Sequence, residues 1–317
     1  MDKKDLISVV VPVYSEEPNI PVFYQEICKI TDGKDFDIEL VFVNDGSTDN
    51  SLQILQDLHN KDQRVKIINF SRNFGSYAAI EAGFAYSKGD AVMAISVDLQ
   101  DPPSLITKFV AEWRKGNDIV WGVRAKRDDP YFKALFAKLF YWGIRKFVFK
   151  DFPDDGMDTG LFDRRIIKQY LRCQDRNSIP FFTIYSMGYN QARIPYKREK
   201  RKAGESGWPF WKRVKCAIDI LVGFSYFPLR MITAVGLICA GLGLLYGIII
   251  ICLKIFAGIG ASGWASLAVF ILFIGGLQMF SIGIIAEYIW RMSDRVKNKP
   301  VYFVMDEVGF AEDQAKN

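Results

Sequence analysis

The sequence predicts an α/β domain built on a mostly parallel sheet, followed by a two-helix transmembrane hairpin. Three observations carry that reading. Continuous apolar runs at Leu6–Val13, Ile38–Val43, Val65–Phe70, Ala91–Ile95 and Asp118–Val123 alternate with amphipathic helical stretches, the pattern of strands covered on both faces. Polar clusters follow the first four runs, and in such sheets ligands bind beyond the carboxyl ends of the strands. Finally, Met231–Leu253 and Trp264–Ala286 are each 23 residues long without a charge, longer than the ~20 apolar residues that cross ~30 Å of hydrocarbon.

Taken in order, the first strand ends near Pro12 and gives way to the acidic turn Ser15–Asn19. Ile20–Ile30 then places Ile20, Phe23, Tyr24 and Ile27 on one side of a helix. The second strand leads into Asn44-Asp45-Gly46-Ser47-Thr48-Asp49 and a helix over Ser51–Asn60. The third is followed by Ser71-Arg72-Asn73-Phe74-Gly75 and an Ala-rich helix, Tyr77–Ser87. The fourth turns polar at Ser96, Asp98, Gln100 and Asp101 and stops at Pro102-Pro103, since proline cannot extend a ladder. Leu105–Arg114 is helical, and the fifth strand ends in Arg124-Ala125-Lys126-Arg127. The clusters at 14–19, 44–49, 71–75 and 96–101 should line one crevice.

Lys133–Phe149 repeats apolar residues at helical spacing with basic ones between them, as does Pro209–Phe227. Such basic, aromatic helices suit a membrane interface, although an ordinary helix packed on the sheet fits the same pattern. Basic residues flank the outer ends of the two apolar stretches, which places both termini in the cytosol and the glycine-rich connector outside. The expected organisation is a cytosolic domain over 1–208 (interfacial helix 133–149), a second interfacial helix at 209–228, spans at about 231–254 and 264–287 within 229–290, and a cytosolic tail at 291–317. Glycines on both spans would allow close packing and a homo-oligomer.

Composition narrows the partners. Net charge is +5, with the basic residues crowded into Lys108–Lys150 and Arg193–Arg230. That fits anionic lipid or a phosphorylated substrate. No helix-turn-helix, zinc-finger or RNA-binding signature is present, so nucleic acid is not the expected partner. The five cysteines form no CxxC pair, which fits a reduced compartment with neither a disulfide framework nor a zinc site. The single histidine, His59, lies in a charged helical stretch and reads as a surface residue, leaving histidine-based chemistry without its residue. The N-terminus shows no signal-peptide pattern.

The stretch from Asp90 to Pro103 carries the chemistry. Asp98 and Gln100 lie two residues apart at a buried strand's end, where alternation points both side chains the same way. Hard oxygen ligands in that position suit Mg2+ or Mn2+ carrying a diphosphate. A solvated strand-end turn is the plain alternative.

Assembled, these segments resemble the polyprenyl-phosphate glycosyltransferases of family 2 with a GT-A fold, which include bactoprenol glucosyltransferases and dolichyl-phosphate mannose synthases. The likeness rests on VPVYSEEPNI (11–20), VNDGSTDNS (43–51), SRNFG (71–75), VDLQDPP (97–103), GVRAKR (122–127), GMDTGLFDRR around Asp158, RKAGES (201–206) and FPLR (227–230), all in order ahead of two spans. The resemblance implies that Pro12, Tyr14, Glu16 and Asp45 hold the nucleotide, with Ser96 beside them. It makes Asp98 and Gln100 the metal ligands. Arg124 would face the acceptor phosphate with Lys133, while Arg198 and Arg201 reach the diphosphate or the lipid phosphate. Asp158 matches the carboxylate usually assigned as catalytic base. The implied reaction is inverting transfer of one hexose, glucose from UDP-glucose first, with GDP-mannose and UDP-N-acetylglucosamine as alternatives, onto undecaprenyl phosphate. Relatives also suggest a homo-tetramer.

Some residues have plainer readings. Asp45 and Asp49 could cap the helix that follows them, Glu16 and Glu17 the helix from Ile20, and the arginines of 198–201 could form only a solvated basic loop. Three positions depart from the family pattern: Ser96 where Asp is usual, Gly160 where Arg is common, and Gly207 where Lys is usual. A catalytically silent nucleotide-sugar- or lipid-binding relative is therefore an alternative. A processive synthase is disfavoured, because two spans do not enclose a polymer channel and the QxxRW motif is absent.

Overall fold

A computed structural model describes residues 4–125, 131–153, 156–173, 179–199, 220, 222, 224–225, 227–257, 263–297 and 299–310. They fall into two compact units, one holding the sheet together with the residues from Lys299 onward, the other holding two long helices.

The sheet unit begins β1 (Asp5–Val13), α1 (Asn19–Thr31), β2 (Phe36–Asn44), α2 (Ser51–Lys61), β3 (Val65–Phe70), α3 (Ser76–Tyr86), β4 (Ala91–Ala94), α4 (Leu105–Arg114) and β5 (Ile119–Arg124). It continues with α5 (Tyr131–Phe147), β6 (Met157–Asp163), α6 (Arg164–Arg172), α7 (Pro180–Ser186) and β7 (Gln191–Tyr196), and closes with β8 (Val304–Val308). The eight strands are ordered β7-β5-β6-β4-β1-β2-β3-β8.

β1, β2, β3 and β4 are parallel, and β7 is parallel to β5. Their apolar runs are buried on both faces, as the sequence pattern requires. Ile7, Val9 and Val11 of β1 pack with Phe23 and Ile27 of α1, Leu55 of α2 and Phe109 of α4. On the other face α3 lies so close that a Cβ on Gly83 would sit 2.1 Å from Val10 Cγ1.

Two strands run against the rest. β6 is antiparallel and lies between β4 and β5. Its amino end therefore meets their carboxyl ends, which is what brings residue 158 to the crevice. β8 adds antiparallel to β3 at the sheet's edge. The sequence reading placed no element at 157–196 or beyond 299, and treated the latter stretch as a tail.

His59 also differs from expectation. It is half-buried, its Nδ1 lies 2.6 Å from the Val65 carbonyl, and a Cβ on Gly309 would sit 2.9 Å from its ring. The α2–β3 connection and the β8 segment enclose it.

The second unit contains α8 (Phe227–Ala257) and α9 (Trp264–Val296). Each carries a window long and apolar enough to cross a membrane, Phe227–Ile250 with mean hydropathy 2.2 and Phe273–Asp294 with 1.4, and neither window is buried. Large side chains such as Leu237, Leu244, Phe256, Phe273 and Met279 are bare, which in water would be an aggregating surface. Most of the second expected interfacial helix, and the Arg201 and Gly207 positions, lie outside the described residues.

Candidate active site

The crevice has two halves, and the first forms where β4, β5 and β7 end and β6 begins. Beyond β4 the chain makes a tight turn through Leu99, which holds φ 57° while its side chain is buried. A non-glycine residue in the left-handed region is uncommon and costs ~1–2 kcal/mol. Here the turn lets Asp98 and Asp101 both enter the interior, at 1% and 2% exposure. The Gln100 amide N–H donates to Asp98 Oδ1 at 3.1 Å, and Gln100 is tied to the 197–199 loop by Glu199 N–H to its carbonyl at 2.9 Å.

Asp158 faces this turn for a specific reason. The β5–β6 register slips between Gly122 and Val123, whose partners are Thr159 and Met157. Asp158 is the extra residue of a bulge, a device that re-aims a side chain. It meets Arg124, at the end of β5, through an ion pair of Arg124 Nε with Asp158 Oδ2. Arg198, two residues past β7, lies with Nη1 3.8 Å from the same oxygen and Nε 3.8 Å from Asp101 Oδ1. Among the described residues its Nε is buried without a hydrogen-bond partner. Tyr196 donates its hydroxyl to Asp101 Oδ1 at 2.5 Å. Burial, with Asp158 and Asp98 adding repulsion, pushes the Asp101 carboxyl up to about 7.

The second half forms where β1, β2 and β3 end. Three backbone amides of the first turn reach the second: Ser15 N–H to Ser47 Oγ (2.9 Å), Glu16 N–H to Ser51 Oγ (3.1 Å) and Glu17 N–H to Asp49 Oδ2 (3.3 Å). Gly46 has φ 67°, and a Cβ there would lie 2.4 Å from the Arg72 carbonyl carbon. Asp45 is buried and accepts from Phe74 N–H (2.6 Å) and Gly75 N–H (2.9 Å). Burial raises its pKa and those two amides partly offset the rise. Asp45 therefore does not cap α2. It pins the 71–75 loop, while Asp49 takes the Ser51 amide at 3.1 Å. The helix-end reading of Glu16 and Glu17 also changes. The Glu16 carbonyl accepts from Asn19 and Ile20, and the Glu17 carboxylate accepts from Asn50. Tyr14 is 50% exposed at the mouth, with Pro12 and Ser96 partly buried beside the strand ends.

The expected residues thus gather as two groups, Asp98, Gln100, Arg124, Asp158 and Arg198 in one and Pro12, Tyr14, Glu16 and Asp45 in the other. Arg201 lies outside the described residues, as does the side chain of Lys133.

Comparison with known proteins decides the family. Residues 8–192 match the family described as glycosyl transferase family 2, and residues 227–292 match the GtrB C-terminal hairpin. The chain belongs to glycosyl transferase family 2. It is 39% identical over 303 residues to the glycosyltransferase YkcC of Bacillus subtilis, covering 95% of this chain and 94% of that one. It is 36% identical to the SfII prophage-derived bactoprenol glucosyl transferase of Shigella flexneri, covering 94% and 97%. Among solved structures, the mannosyltransferase PcManGT of Pyrobaculum calidifontis, in complex with GDP-Man and Mn2+, matches the GT-A fold with TM-score 0.50 at 16% identity, over 94% of this chain and 89% of that one.

In this family 2 glycosyltransferase the donor set suits a divalent ion only in part. Among the described residues no group of three or more His, Cys, Asp or Glu could hold a metal. β4 stops at Ala94, so Asp98 and Gln100 sit in a turn rather than on an alternating strand as expected. One carboxylate with a nearby carboxamide leaves most positions to phosphate oxygens and water, the arrangement Mg2+ and Mn2+ accept. To that extent the residues present fit the ion.

Sequence reasoning missed Asp101, Tyr196 and Leu99. The available signal was the second carboxylate of DLQDPP, but its partner comes from a strand 95 positions later. The Gly160 departure has a packing cause. A Cβ at Gly160 would lie 2.9 Å from Phe162 and 3.0 Å from Trp121, so the centre of the sheet has no room for a longer side chain.

Proposed function

We propose that the protein transfers one glucose from UDP-glucose to undecaprenyl phosphate at the cytosolic face of the membrane, with inversion at the anomeric carbon. The observation that carries this is the turn of Asp98, Gln100 and Asp101, which meets Arg198 through Asp101 and so adjoins the Arg124–Asp158 ion pair at one end of the sheet. A diphosphate site and an anion-binding site adjoin there, in a chain that also carries two apolar helices and resembles bactoprenol glucosyl transferases over nearly its whole length.

Tyr14, at the mouth, offers a face for the base, and the Ser15–Glu17 turn, cross-linked to Ser47–Ser51, shapes the ribose site. Asp98 and Gln100 would hold Mg2+ or Mn2+. When bound, the ion supplies Lewis-acid stabilisation of the leaving nucleoside diphosphate.

The acceptor is a phosphate monoester with its second pKa near ~6, already largely dianionic at neutral pH. It needs a place and a counter-charge more than a base. Arg124 and Arg198 supply both, since guanidinium forks match phosphate oxygens, and the buried Arg198 Nε makes no hydrogen bond among the described residues. Asp158 orients these two arginines. Attack on the anomeric carbon from the side opposite the diphosphate inverts the centre in a single displacement. The basic flanks of the apolar helices support a topology with both termini in the cytoplasm, and Trp142, exposed beside Lys146, supports α5 as an interfacial helix.

The test is purified full-length protein incubated with undecaprenyl phosphate, Mn2+ and, separately, UDP-glucose, GDP-mannose and UDP-N-acetylglucosamine, with the lipid product weighed. The expected product is undecaprenyl phosphate carrying one hexose, formed fastest from UDP-glucose. Product from another donor only would overturn the donor assignment. No lipid product from any of them would overturn the reaction.

A further inference from the structure

After the second apolar helix the chain returns to the sheet unit and docks on the donor half of the crevice. We propose that Tyr302 and Phe303 are positioning residues for the nucleotide sugar: they hold the 71–75 loop, and with it Asp45, in the conformation that binds the donor. The inference rests on the reading of Tyr14, Glu16 and Asp45 as the nucleotide site.

The contacts form one connected path. The Phe303 carbonyl accepts from Ser71 N–H at 3.1 Å, so the loop's first amide is fixed by the returning segment. The Phe303 ring packs on Phe74 at 6.0 Å, and Tyr302 stacks on Phe70 at 4.9 Å with planes 13° apart. Phe74 and Gly75 in turn donate their amides to Asp45. The loop is thus held from two sides, by a buried carboxylate of the β2 turn and by the returning segment.

The same segment reaches the crevice end of β2. The Asn69 side chain donates from Nδ2 to Asp306 Oδ2 at 3.3 Å while its Oδ1 accepts from Asn44 Nδ2 at 2.8 Å, one residue before Asp45. The β3–β8 register shifts between Asn69 and Phe70, a bulge that turns the end of β3 toward these rings. Beyond β8, Phe310 packs edge-on against Tyr86 at 5.1 Å and under Lys66 at 5.6 Å, anchoring the far end.

A purely protective role is the competing explanation, since β8 covers the edge of β3 and bare edges invite aggregation. The two differ in what they predict. Edge protection explains the strand pairing of 304–308 but not the placement of two aromatic rings on residues 70–74, ahead of the strand. Phe303 is 55% exposed, so its ring contributes little to the core.

The experiment uses full-length protein and compares Phe303→Ala, the double variant Tyr302→Ala/Phe303→Ala, the ring-preserving Phe303→Tyr, and Met305→Ala as a control on the same segment. Steady-state kinetics separate the donor KM from kcat and from the lipid KM, and calorimetry measures UDP binding in the presence of Mn2+ without any acceptor. The expected result is a donor KM and UDP Kd raised about ten-fold in Phe303→Ala and further in the double variant, a change of about 1.4 kcal/mol for each ten-fold step. The lipid KM should stay unchanged and Phe303→Tyr should behave as wild type. Unchanged donor KM and UDP affinity in Phe303→Ala would overturn the inference, as would a loss confined to Tm and kcat. Wild-type protein that binds no UDP would overturn the nucleotide-site reading itself, an outcome distinct from normal binding by wild type and variants alike.

Discussion

Asp158 shows how much a single residue's role depends on its neighbours. Read from its motif, it is the expected general base. In the structure its Oδ2 already engages Arg124, with Arg198 3.8 Å away. An oxygen so occupied is poorly placed to receive a proton, and a dianionic acceptor does not need to give one. Positioning general bases contribute ~10²–10⁴-fold, so loss of rate alone does not separate the two roles. Asp158→Asn should lower kcat by about 100-fold through misplaced arginines, at the low end of that range, while leaving the shape of the pH–rate profile intact. Selective loss of an acidic limb with normal substrate binding would make it the base. The sequence placed Asp98 and Gln100 at the crevice because their cluster follows a strand, whereas Arg124, Asp158 and Arg198 joined them only through the family resemblance. It could not place Asp101 against Tyr196, a pairing that exists only because β7 lies beside β5.

At the scale of elements, the strand-end turns behave as interlocked parts. The 44–49 turn presses on the 71–75 loop at Gly46, where no side chain fits and the backbone is left-handed. Gly46→Ala should therefore destabilise the domain by about 2 kcal/mol or more, from strain of ~1–3 kcal/mol plus the clash with Arg72. A thermal scan should show Tm lower by several degrees, and the donor KM should rise. An unchanged Tm would mean that the two turns are not in the contact described. The parallel strands and their helices were legible because burial on both faces writes itself as apolar runs. β6 and β8 were not. Met157–Asp163 mixes two carboxylates, a threonine and a glycine with its apolar residues, and β8 is a half-exposed edge strand. Each is a strand because a neighbour offers a ladder, information that local sequence does not contain.

For the whole molecule, family 2 membership and the GT-A fold fix the reaction class, and the two apolar helices account for a surface that water would not tolerate. The sequence showed both helices from length and uncharged composition alone. It missed that the segment after them rejoins the sheet, because a short mixed stretch following a membrane span reads as a tail. The account turns on a cation held by Asp98 and Gln100 on the donor's diphosphate, and electron paramagnetic resonance of Mn2+ reads this most directly. Wild-type protein should take up one Mn2+ tightly only when UDP is present, and Asp98→Asn should lose that uptake while keeping its fold. Equal uptake by Asp98→Asn, or UDP binding indifferent to the metal, would contradict it.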